Sequence, residues 1–207
     1  TEYEKISNAR MLNPSEYILT QTLGYISLKT TLKPDEGLAV AYEYTYGNRT
    51  YQVGEFSSDI PDSRQTLYLK LLKSSSNTPS SGTWDLMMKN IYYIGGGNIT
   101  QKNFKMKIFY ASDSVGSRIT YLPEESLKQQ TLLQIMNLDR LDDKLSPHSN
   151  GQFDYIEGYT VLSSSGRIIF PVTEPFGSHL RSVIKDKAIA DKYVFQELYD
   201  TTMTAAK

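Results

Sequence analysis

Two histidines and no cysteine narrow the chemistry open to this chain of 207 residues. His148 and His179 would need distant carboxylates to complete a zinc centre, and neither belongs to an H-E-x-x-H pattern, so both read as lone surface histidines. Asp139, Asp142, Asp143 and Asp154 could gather around calcium. They lack the glycine and the closing glutamate of the twelve-residue calcium loop, so the spacing predicts a solvated acidic loop and leaves an ion near 139–143 open. Gly95, Gly96 and Gly97 precede Asn98 without the lysine and hydroxyl residue of a phosphate loop, which makes them a flexible turn. Glu16, Glu36, Glu43 and Glu55 invite pairing as the acid and nucleophile of a glycosidase, which would require carboxyl separations of about 5–9 Å in the folded chain. No G-x-S-x-G elbow marks a nucleophilic serine. The tyrosines and Trp84 could stack on sugars or peptides, although aromatic residues also serve as the walls of amphipathic strands. No catalytic residue, metal site or cofactor is therefore assigned from the residue types alone.

The balance of 22 basic against 23 acidic residues, spread along the chain, offers no field for nucleic acid or for an anionic membrane surface. A hydrophobic content of 39% suits one large β-rich domain or one domain with a small appendage. Absence of cysteine is compatible with cytoplasm, periplasm or cell surface. The apolar runs are far shorter than the roughly 20 residues of a spanning helix, whereas a barrel strand of about 9–11 residues would escape such a test. Neither a leader nor an initiating methionine is seen at Thr1, and both ends read as cuts in a longer chain.

The elements that would position these residues begin with a hairpin over 38–56. Val40, Tyr42, Tyr44 and Tyr46 alternate with Ala39, Ala41, Glu43 and Thr45, the period of a strand with unlike faces. Gly47 and Asn48 make a two-residue turn, which sets Tyr46 opposite Arg49, Tyr44 opposite Tyr51 and Tyr42 opposite Val53. The aromatic face, with Tyr42, Tyr44, Tyr51 and Val53 pointing inward, is expected to be core. A strand is expected near Leu23, Tyr25 and Ile26 with Gly24 marking a bulge or a close backbone approach, another over 67–72, and a half-buried strand over 104–110. Residues 153–162 and 167–172 form a second hairpin around Ser163, Ser164, Ser165 and Gly166, with Pro171 marking an edge or an end. Helical spacing is read at 84–92, with Thr83 as a candidate N-cap, at 124–137, where Pro123 at the head serves equally well in a loop, and at 186–199 as an amphipathic helix. The loops at 57–64, 73–82 and 138–150 are the expected contact surfaces.

The blocks NARMLNPSEY (8–17), LGYISL (23–28), YQVGEF (51–56), LYLKLLKS (67–74), TWDLMMKNIY (83–92), NLDRLDD (137–143) and GRIIFPVTEPFGSHL (166–180) closely resemble the gliding-motility and type 9 secretion translocon proteins of Bacteroidetes, the SprA/Sov family. The likeness runs from Tyr3 to about residue 200. It implies a very large parent that forms an outer-membrane β-barrel, through which folded cargo with a C-terminal sorting domain reaches the surface. The chain would then be a soluble domain on the periplasmic or extracellular side of a Gram-negative outer membrane. Its partners would be other domains of the parent barrel, secreted cargo and further translocon proteins.

No catalytic residue comes with the matching blocks. Tyr25, Tyr51, Trp84 and Phe170 within them read as packing, together with Tyr42 and Tyr44. Arg140 and Arg167 read as buried ion pairs or loop clamps, since one guanidinium can satisfy several acceptors, and Glu174 opens a rigid turn through Pro175, Phe176 and Gly177. A lipid-facing wall would show repeated strands of about ten residues. The helical patterns and short strands argue instead for a globular insert beside the barrel. The expectation is a mainly β, sandwich-like domain over 1–185 with short helices, followed by a C-terminal helix and tail over 186–207; an α+β arrangement is the alternative. Its role would be noncatalytic, in protein export. A carbohydrate-binding module and a glycoside hydrolase-like enzyme are the rival readings.

Overall fold

The computed structural model describes residues 3–60, 65–76, 78–111 and 116–202. Two compact units divide the chain, Thr1–Met87 and Met88–Lys207. Part of the 57–64 loop, Asn77 in the 73–82 loop and the tail from Met203 lie outside the described residues.

The first unit holds three small antiparallel pairings. β1 (Tyr17–Thr20) pairs with β2 (Tyr25–Leu28), β3 (Leu38–Val40) with β6 (Lys70–Lys73), and β4 (Tyr42–Tyr46) with β5 (Arg49–Val53). Gly24 sits at φ +68° and donates to the Thr20 carbonyl, so it closes the β1–β2 turn and is no bulge. Charged side chains hold the turns. Arg10 grips both oxygens of Glu16 at 2.7 and 2.8 Å, and the Asn13 N–H donates to the same carboxylate. The Lys73 ammonium donates to the carbonyls of Pro34, Glu36 and Ser74. The expected helix over 84–92 is a single 3₁₀ turn, Trp84–Leu86, whose Thr83 makes no side-chain cap.

In the second unit, β7 (Ile91–Tyr93), β10 (Val161–Leu162) and β11 (Arg167–Ile169) form an antiparallel sheet with β11 in the middle. The Ser163–Ser165 turn joins β10 to β11 and is completed by Gly166 at φ +62°, where a Cβ would collide with the Gly96 carbonyl. Pro171 follows the end of β11, where its missing N–H costs no ladder bond. β8 (Tyr110–Ala111) and β9 (Arg118–Ile119) make a minimal pair. The helices among the unit's described residues are α1 (Leu132–Ile135), α2 (Ser178–Val183), α3 (Lys187–Tyr193) and α4 (Glu197–Asp200). Thr131 and Gln134 form a capping box at α1, and Asp186 caps α3 through the N–H groups of Ala188 and Ile189. Val194 adopts an extended conformation that splits the expected 186–199 helix into α3 and α4.

The sandwich expectation is overturned. Among the described residues no sheet exceeds three strands and several have only two, so the fold is mixed, with helices contributing to its core. In the second unit Leu132, Leu133 and Ile135 of α1, Leu180 of α2 and Ala190 of α3 are buried with Leu138, Val161, Ile168 and Phe170. Where a sandwich sets one sheet over another, this core sets helices and loops over a three-stranded sheet. Segment 104–110 explains part of the difference. Phe104, Met106, Ile108 and Tyr110 are partly buried against the core while Lys105, Lys107 and Phe109 are exposed, yet only Tyr110 belongs to a strand.

Candidate functional site

The β4–β5 hairpin takes the register its sequence dictates, with Tyr42 opposite Val53, Tyr44 opposite Tyr51 and Tyr46 opposite Arg49. Gly47 at φ +61° supplies the turn conformation that a side chain would disfavour. Its aromatic face, however, is exposed: Tyr42 and Tyr44 are each 45% accessible and Tyr51 39%. The inward placement of these three tyrosines is thereby corrected. Among the described residues β4 and β5 pair only with each other, and a two-stranded ribbon has no core of its own. The Tyr44 and Tyr51 rings stack with centroids 5.3 Å apart and planes 18° from parallel, and Tyr42 lies 6.1 Å from Tyr44. Tyr46, still more exposed, extends the row. The other aromatics behave differently, since Tyr25, Trp84 and Phe170 are buried. Phe170 packs edge-on against Tyr92 and Phe176, and the Tyr199 hydroxyl accepts the Phe176 N–H at 2.9 Å. Burial raises the Tyr199 phenol, and the adjoining Tyr92 hydroxyl raises it further.

Three of the four glutamates considered as a catalytic pair are engaged elsewhere. Glu16 is held by Arg10, Glu36 accepts the Lys33 N–H at 2.9 Å, and Glu55 accepts the Tyr68 N–H at 2.8 Å. Glu43 is exposed on β4, opposite Gln52. His148 is exposed, but His179 is half-buried with Nε2 2.6 Å from the Ile135 carbonyl oxygen, so it ties α2 to the end of α1 and is not a surface histidine.

The acidic loop is solvated only in part: residues 143–152 are exposed, but Asp139 and Asp154 turn inward. Asp139 is 1% exposed, and its two oxygens accept the N–H groups of Asn150 and Gly151 at 2.9 and 3.1 Å. Asp154 accepts the N–H groups of Arg140 and Leu141. Burial raises the Asp154 carboxyl, the two backbone donors pull it back, and the Asp139 charge adds to the rise. These carboxylates clamp the 139–154 loop. No cluster of metal-ligating side chains is found among the described residues.

Arg140 therefore takes another role than a buried ion pair. Its side chain is exposed and its guanidinium donates to Asn137 Oδ1 at 3.0 Å, while the clamp on its backbone comes from Asp154. Arg167 sits half-buried in β11, opposite Leu162 and Tyr93. Glu174 does serve its turn. Its carbonyl accepts from Gly177 and His179, and its carboxylate accepts from Ser178 and Gln196. Burial pushes the Glu174 carboxyl up, but those hydrogen bonds outweigh it and leave the group below its ordinary value. Sequence reasoning missed the roles of Asp139 and Asp154, because the amides they accept lie more than ten residues away along the chain.

The chain matches no protein-family model and no curated protein. No helix among the described residues is long and apolar enough to cross a membrane.

Proposed function

We propose that this chain is a noncatalytic interaction domain whose contact element is the tyrosine face of the β4–β5 hairpin. The observation that carries this reading is the exposure of Tyr42, Tyr44, Tyr46 and Tyr51 on one short ribbon, with Tyr44 stacked on Tyr51 and Tyr42 tilted beside Tyr44. Tyrosines bring large contact area at low conformational cost and are enriched where proteins meet. The engagement of Glu16, Glu36 and Glu55 in turns supports a binding role over hydrolysis. The SprA/Sov resemblance supplies the setting: the outer membrane of a Gram-negative cell, on its periplasmic or extracellular side, in a translocon for type 9 secretion and gliding motility. The hairpin would meet another domain of the parent barrel, secreted cargo with a C-terminal sorting domain, or a translocon partner.

Photocrosslinkers placed at Tyr44 and Tyr46 in the intact parent complex test this directly. Specific products with the barrel, cargo or partner proteins are expected, identified by mass spectrometry. Capture from the 73–82 or 138–150 loops but not from the hairpin would reject it.

A carbohydrate-binding module is the second reading, because exposed tyrosine rings also stack on sugar faces. It predicts that neutral oligosaccharides quench tyrosine emission and that Tyr44→Ala abolishes the effect. A glycan array and titrations without binding remove this reading and leave the first.

A further inference from the structure

The second unit carries an open cleft of about 720 Å³ lined by polar and charged residues. Gln129, Gln130, Gln134, Asn137, Arg140 and Ser149 are among its lining residues, none of which is aliphatic or aromatic. Such a surface offers nothing to an apolar ligand or to the side-chain pockets of a peptide site. Amide side chains both donate and accept, which is what a ring of sugar hydroxyls requires.

Charge sharpens the choice. Two acidic residues border the cleft, and both are already engaged: Glu125 is ion-paired with Lys128, and Asp139 accepts two backbone N–H groups. Arg140 has no ion-pair partner among the described residues and spends one guanidinium bond on Asn137, so most of its planar fork remains free to take a carboxylate. The backbone beneath it is fixed by Asp154, so the loop need not be ordered on binding. Gln134 spends its carbonyl oxygen on the Thr131 N–H, which leaves its NH₂ as a donor, and the Asn137 oxygen is held by Arg140 in the same way.

We propose that this cleft binds an acidic saccharide, a hexuronate unit whose carboxylate is gripped by Arg140 and whose hydroxyls meet Gln130, Gln134 and Asn137. The site is separate from the tyrosine hairpin and stands or falls independently of the role given to it.

The test is calorimetric titration of the whole chain with a galacturonate oligomer, with the neutral galactose oligomer of equal length and with an oligoglutamate of equal charge, each repeated with backbone-amide NMR. Saturable binding of the galacturonate is expected, with shifts concentrated over 129–149 and a preference over the neutral sugar of about tenfold or more, the scale of a charge-assisted pair. Arg140→Gln should remove the preference, Arg140→Lys should retain part of it, and Gln130→Ala should weaken both sugars alike. Equal affinity for the two sugars, shifts confined to the 42–53 hairpin, or no saturable binding overturns the proposal. Oligoglutamate binding as tightly as galacturonate overturns it too, in favour of an acidic peptide.

Discussion

The two units of this chain are stabilised by different means. Thr1–Met87 has only Tyr25 and Trp84 buried among its described residues, and its turns are stitched by Arg10 with Glu16, by Glu55 with Tyr68 and by Lys73 with three carbonyls. Met88–Lys207 has thirteen buried side chains in one apolar cluster, with as many partly buried around it. Exposed ion pairs and hydrogen bonds are worth little each, while a buried leucine contributes about 1.5–3 kcal/mol. The contrast assigns stability to the second unit and surface to the first.

Leu138 should show the largest effect. It is fully buried and donates its N–H to the Leu133 carbonyl at the end of α1. Leu138→Ala is expected to cost about 2–5 kcal/mol in urea unfolding followed by far-UV circular dichroism. A loss below that range would mean the cluster collapses around the gap, and the contrast between units would soften. Asp139 comes next. Asp139→Ala strands the N–H groups of Asn150 and Gly151, an expected loss of about 1–3 kcal/mol, whereas Asp139→Asn keeps one acceptor and should lose less. Equal losses would show that the negative charge, and not the pairing of two amides, holds the loop.

The Asp139 clamp was hidden in the sequence for a physical reason: spacing shows where carboxylates are, but not whether a loop folds back to offer them its amides. Registers fared better. Alternation and a Gly-Asn turn were enough to place Tyr44 across from Tyr51, and Gly166 was enough to close the β10–β11 turn. Period two at 104–110 correctly marked the side that meets the core, yet no pattern could tell whether a neighbouring strand would supply hydrogen bonds. The 84–92 pattern failed because one 3₁₀ turn and a strand start can imitate helical spacing over so few residues. Period also could not tell whether anything covers the hairpin's aromatic face, and that unknown decided the difference between core and contact surface.

The tyrosine row gives a smaller effect, and its smallness is the point. Tyr44→Thr removes the 5.3 Å stack on Tyr51 while keeping a good strand former, so about 0.2–1 kcal/mol of stability should be lost. Crosslinking from Tyr46 in the same variant should nonetheless fall sharply. A loss on the scale of Leu138→Ala would place Tyr44 among core residues and undo the assignment of this face to binding.

Acid pH separates the units by sign. The Arg10 guanidinium, then the Asn13 N–H, hold the Glu16 carboxyl down at about 2 against an ordinary 4.5. Because the folded value is depressed, the stability this group contributes is present above about 4.5 and is lost as pH falls toward about 2. Asp154 in the second unit has the opposite sign. Burial raises its folded value, so protonation relieves a cost, and its contribution grows as pH falls through that value toward the ordinary 3.8. Carbon-detected NMR titration of the two carboxyls measures both directions at once. Glu16 should titrate near 2 and move upward in Arg10→Gln, while Asp154 should titrate above 3.8 and ignore that substitution. The Arg10–Glu16 pair lies at the surface, with the Arg10 side chain exposed and Glu16 half-buried, so the effect on global stability should be the weakest of the series. A Glu16 midpoint near 4.5 in the unaltered chain would show that the Arg10 pair does not persist in solution, which would leave the first unit held chiefly by its backbone ladders.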